Sequence, residues 1–227
     1  MNLNELDVVR WLHILAMVYW LGGEWGVFQT SYNVVNRKLS LDERRRHMET
    51  AYRIDILART GIIMLLPLGL HMGHLYGFVP FLDGIGIVVM WGAALGWLAL
   101  CWAAFLARES DLGLALTRAD EAIRFVLIPA LLLLAVPAFF GGGLLDVGQG
   151  QLWYPAKITT YAGMLVIGLI LRFIMREWTV LFRVLAEGPD DAAEAKLERS
   201  IRLGRSIAYV YWVGIASTAF FGAVKPF

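Results

Sequence analysis

Three histidines, a lysine and a glutamate stand in stretches of this chain that otherwise read as lipid-soluble. His13 and Glu24 fall within "RWLHILAMVYWLGGEWG" (residues 10–26), His71 and His74 within "GLHMGHLYG", and Lys157 within "LWYPAKITTYAG". Ionisable groups are costly in a bilayer and mark ligand sites, ion pairs or proton paths. Imidazoles on facing helices ligate b-type haem or a soft metal ion. The fourth histidine, His47, lies in the charged run "LSLDERRRHMETAYRID" and is expected to be solvated.

The elements that position these groups follow from composition. Hydrophobic residues make up 59% of 227 residues and charged residues only 17%, against about 25% in soluble domains. Mean hydropathy is +0.62. A net charge of +1 gives no reason to expect nucleic acid as a partner. The single Cys101 excludes an internal disulfide, a Cys-based zinc site and covalent haem attachment. The opening "MNLNELD" lacks a basic region, so the first apolar run is expected to be retained as a helix. Six runs are long enough for a hydrocarbon core that needs about 20 residues. They lie at 8–31, 56–78, 84–107, 125–145, 153–176 and 206–225. The expectation is an all-α bundle of six transmembrane helices in one integral membrane domain, 1–227.

Ser40 with Glu43 three residues on forms a capping-box pattern. "AEGPDD" breaks the chain after the fifth span, and "DDAAEAKLERSIRLGR" reads as a charged helix leading into the sixth. "RTGIIMLLPLGL" and "RFVLIPALLLLA" form a weak repeat. The first, third and fifth connections carry 17 of the 20 Lys and Arg residues, leaving Arg10, Lys157 and Lys225 on the other side. By the positive-inside rule both termini lie in the periplasm of a bacterial inner membrane.

At 1.5 Å per residue, His13 lies ~7 Å below the periplasmic face, His74 ~6 Å, His71 ~10 Å and Lys157 ~6 Å. Equal depth on neighbouring helices predicts one site, with His13 and either His71 or His74 as axial ligands of a haem b. Gly69 and Gly73 would leave space for the flat ring, and Arg10 and Lys157 would meet its propionates. The alternative occupant is copper, held by His13, Met17, His71, Met72 and His74. Glu24 lies in the cytoplasmic half, where Arg59 is the expected ion-pair partner and Asp55 a neighbour. The same carboxylates could instead relay protons. Trp11, Tyr19, Trp20 and Trp25 read as packing and interfacial anchors.

"RWLHILAMVYWLGGEWG" resembles the first helix of the CopD/HemJ-like membrane proteins, and "RIDILARTGIIMLLPLGLHMG" is similar to their second. "LWYPAKITTYAGMLVIGLILR" resembles a later HemJ helix with Lys four residues after Trp, and "GIASTAFFGAVKPF" resembles the C-terminus of a related group of integral membrane proteins. The resemblance implies haem binding, with His13 and Lys157 matching the residues that matter in the HemJ protoporphyrinogen oxidases. It also implies, through CopD, copper uptake. HemJ-like chains usually have four spans, and His71 and His74 lie outside the family pattern. The expectation from residues and resemblance together is a membrane cytochrome b passing electrons at the periplasmic side, within a larger redox complex or to a periplasmic partner. A porphyrinogen oxidase, a copper transporter and a cofactor-free accessory subunit are the alternatives.

Overall fold

The computed structural model describes residues 4–108 and 110–227, and among them the regular structure is helical throughout. Six long helices run α1 Glu5–Val34, α2 Leu41–Leu75, α3 Ile85–Leu106, α4 Asp111–Ala135, α5 Trp153–Glu187 and α6 Asp191–Val224. Each apolar run occupies one helix. Local sequence sets most boundaries. Asn4 caps α1, Ser40 and Glu43 close the capping box of α2, and Ser110 caps α4. The Gly188–Pro189 break lets Asp190 accept from Ala192 and Ala193 N–H at 2.8 and 2.9 Å, which starts α6. The fourth run is helical for less of its length than the expected 125–145. Pro137 has no N–H to give to the α-helical ladder, so α4 ends at Ala135 and the chain tightens into a 3-10 turn over Val136–Phe140.

α2 to α6 are each long and apolar enough to cross a membrane, and α1 falls outside that set because Arg10, Glu24 and Gly22–Gly23 dilute its apolar run. Only 17% of the most apolar stretch of α3 is buried. Its Ile85, Val88, Val89 and Leu95 side chains face outward, which suits hydrocarbon and not water. The chain is a multi-pass membrane protein.

α1 packs on α2 and α5 on α6 as the two most extensive pairs, and α4 bridges α3 to α5. Small residues set the first pairing. A Cβ on Gly61 would lie 2.5 Å from the Ala16 carbonyl oxygen, and one on Gly23 would lie 2.7 Å from the Ala58 Cβ. The two backbones therefore touch, as in small-residue helix contacts in membranes. At one end of the bundle Arg10 donates to Tyr76 Oη at 3.0 Å and Trp153 N–H to the Phe227 carbonyl at 3.1 Å. At the other, the Arg44 guanidinium joins the Val34 carbonyl to the Glu194 carboxylate.

Candidate functional site

The first end holds a cavity of about 530 Å³ between α1, α2, α5 and α6. That size falls within the range of small-molecule and cofactor pockets, ~300–1,000 Å³. Its walls are mainly apolar, with Ile14, Met17, Leu65, Leu70 and Ile158 among them. The polar groups converge on one region. Lys157 Nζ lies 3.2 Å from His13 Nε2. An ammonium donating to Nε2 leaves the imidazole proton on Nδ1, and that buried nitrogen has no partner. Arg10 and Lys225 complete three cations on the lining. Lys225 Nζ lies 5.0 Å from the centre of the Trp153 ring and 5.2 Å from that of Tyr76, so it is held over the mouth by cation–π contact.

The glycines serve protein side chains. Gly69 faces the imidazole, since a Cβ there would stand 3.4 Å from His13 Cε1. The notch at Gly73 is filled by the Tyr154 phenol, whose hydroxyl donates to the Gly69 carbonyl at 3.2 Å.

His13, Lys157, Arg10 and Gly69 are thus brought together, and His71 and His74 are not with them. Neither lines the cavity. His71 Nδ1 accepts from Trp91 Nε1 at 3.4 Å, and its Nε2 lies 3.2 Å from Glu5 Oε1. His74 Nδ1 lies 3.2 Å from the Val79 carbonyl oxygen, inside the turn that follows α2. They sit among the α2 residues that line the cavity, between Gly69 and Tyr76, but project from the other side of the helix. Of the five copper candidates, His13, Met17 and Met72 line the cavity. No group of three or more His, Cys, Asp or Glu side chains placed to hold a metal ion occurs among the described residues.

A second, smaller cavity of about 70 Å³ lies deeper, lined by Glu24, Asp55, Arg59, Arg124, Arg172 and Arg205 among others. Arg59 pairs with Asp55, one turn away on its own helix, and not across to Glu24. Beside them sits a network that sequence reading missed. Asp120, fully buried, accepts from Trp97 Nε1 at 2.7 Å and pairs with Arg124 and Arg172, while Glu121 pairs with Arg176. The Asp120–Arg124 spacing of four was its legible signal.

The two cavities are separated by packed aromatic rings. Trp20, fully buried, donates to Tyr211 Oη at 3.0 Å and meets the Tyr161 ring edge-on at a centroid distance of 6.3 Å. Tyr161 lines the outer cavity and Tyr211 the inner one.

Compared with known proteins, the chain matches no family model, no curated protein and no solved structure.

Proposed function

We propose that this chain is a b-type cytochrome-like subunit of the bacterial inner membrane that holds one haem in the outer cavity and passes electrons at that face. It crosses the bilayer six times, α1 included, with both termini in the periplasm. At about 45 Å, the 30-residue α1 has the length to cross. Orientation rests on the Lys and Arg balance of the connections.

The observation that carries the proposal is the outer cavity itself, where one imidazole and three cations converge on apolar walls. Such a site suits a flat apolar ring bearing carboxylates. His13 is the only histidine available to the iron. Arg10, Lys157 and Lys225 are the cations available to propionates, with Lys157 exchanging its bond to His13 for one to a carboxylate. Bound haem supplies one-electron chemistry, and the chain supplies burial, orientation and charge.

The test is a pyridine haemochrome assay with reduced-minus-oxidised spectra on wild type, His13→Ala, His71→Ala and His74→Ala. The expected result is haem lost from His13→Ala and kept by the other two. Haem lost equally from His71→Ala would require a site this geometry does not contain. A wild type without haem, from membranes prepared with added haem, would refute the proposal.

The direct contact of His13 with Lys157 favours one other reading, oxidation of a carboxylate-bearing porphyrinogen ring in the same cavity, its six electrons passing to a membrane quinone and its six protons to water through the pair. There the cations would hold the carboxylates and the His13–Lys157 pair would take a proton. Turnover of protoporphyrinogen by purified protein, lost in Lys157→Met, separates it from simple electron transfer.

A further inference from the structure

Glu24 is the acidic residue of the inner site that has no fixed partner. Asp55 is tied to Arg59, Asp120 to Arg124 and Arg172, and Glu121 to Arg172 and Arg176. Protonating any of these breaks an ion pair. Glu24 makes no hydrogen bond or ion pair with a described residue, yet its side chain lines the inner cavity. It can change protonation state without disrupting the fold.

The shape of the cavity indicates where the proton would come from. At 70 Å³ it has room for a few water molecules, each needing roughly 10–15 Å³ on this measure. Its lining descends α1 from Glu24 to Ser31, ~10 Å, and α6 from Tyr211 to Ile201, ~15 Å. It is a slot directed at the Arg-rich end of the bundle. Its upper end meets Trp20, Tyr211 and Ile62, all buried, which separate it from the outer cavity. The polar groups facing Glu24 are Asp55 and Arg59 from α2, Arg124 from α4, Arg172 from α5, and Tyr211 and Arg205 from α6. Arg205 donates to Ser31 Oγ at 3.0 Å while its buried Nη2 has no partner, so the slot also holds an unused donor for water.

We infer that Glu24 is a proton-binding carboxyl at the blind end of a water-sized slot that opens toward the Arg-rich, cytoplasmic face. The step is simple: water in the slot delivers a proton, one O–H bond forms on the carboxylate, and no electrons move. The inference stands apart from the haem, since neither measurement below involves the outer cavity, but the naming of the Arg-rich face as cytoplasmic rests on the orientation proposed above.

The first measurement is infrared difference spectroscopy of the protein in nanodiscs while pH is cycled. The expected result is a protonated-carboxyl carbonyl band that comes and goes with pH and shifts in D2O. It should be lost in Glu24→Gln, shifted in Glu24→Asp and retained in Asp55→Asn. A pH-difference spectrum in Glu24→Gln identical to wild type would overturn the assignment.

The second introduces Ala208→Cys on the slot wall and applies a membrane-impermeant thiol reagent to vesicles of either orientation. Wild type is the blank, because its single Cys101 is buried. Labelling from the cytoplasmic side alone is expected. Labelling only from the other side, or from neither, would overturn the inward opening.

Discussion

Lys157 controls what His13 can do, because its amine occupies the nitrogen lone pair that a metal or a proton would use. The space that permits this comes from Gly222. A Cβ there would lie 2.6 Å from Lys157 Nζ and 3.3 Å from its Cε. The clash falls on the far end of a flexible side chain, so the amine moves and the helix does not. Gly222→Ala should therefore change stability by less than about 1 kcal/mol, with its gain in helix propensity included. The His13 Nε2 nitrogen-15 resonance should move in the same direction as it does in Lys157→Met. An unchanged resonance would mean that the amine does not depend on this gap. His13, Lys157 and Glu24 were legible in the sequence because ionisable side chains stand out in apolar text. Gly222, Tyr154 and Lys225 were not, because nothing in "FFGAVKPF" or "WYPAK" announces which side chain occupies which gap.

Helices explain where the sequence argument held and where it failed. Apolar run length, the Ser40–Glu43 box and the Gly188–Pro189 break placed the six helices, since caps and hydrophobic length act locally. Depth counting also placed His13 and Lys157 level with each other. It could not give rotation about the helix axis. At 3.6 residues per turn, His71 points about 100° away from Met72, about 140° from Tyr76 and about 160° from Gly69, all of which line the cavity. Rotation is set by how α1 seats on α2, and Gly61 fixes that seat. A Cβ at Gly61 would press on backbone, 2.5 Å from the Ala16 oxygen and 2.7 Å from the Trp20 nitrogen, with no flexible group to give way. Gly61→Ala should destabilise the protein by about 1–3 kcal/mol, the range for overpacking. α2 carries Gly69 at the outer cavity and Asp55 and Arg59 at the inner one, so both sites should be disturbed together. A lower midpoint of unfolding in SDS, with the His13 and Glu24 signals both altered, is the expected outcome. A variant with a wild-type midpoint would show that the seat lies elsewhere.

Over the whole molecule, three helices are longer than a hydrocarbon core requires. α2, α5 and α6 have 34 or 35 residues, ~50 Å, against a hydrocarbon core of ~30 Å. The excess forms a second core around Val34, Met48, Trp178, Leu181 and Leu197. Arg44 latches this extension: its Nε donates to the Val34 carbonyl at 2.9 Å, and its two terminal nitrogens donate to Glu194 at 2.6 and 2.8 Å. Arg44 is 4% exposed and Glu194 17%, so solvent screens the pair only in part. The guanidinium's hydrogen bonds hold the Glu194 carboxyl below its ordinary value of 4.5. A carboxyl lowered on folding contributes its full stability above the unfolded value, and that contribution is lost as pH falls through the folded one. Thermal unfolding in detergent should therefore show wild type losing stability from this contact on acidification from pH ~5. Glu194→Gln should start lower and flatten that limb, while Glu198→Gln, whose partner Arg202 is exposed, should leave it unchanged. An acid limb in Glu194→Gln as steep as in wild type would mean that other carboxylates set the acid response. The latch also bears on the inner slot, because α1 and α6 form two of its walls and Arg44 ties together their ends on that side of the membrane. Acidification that loosens Glu194 would widen the path to Glu24, so labelling of Ala208→Cys, taken relative to a free thiol at the same pH, should quicken at low pH in the single variant and be already fast at neutral pH when combined with Glu194→Gln.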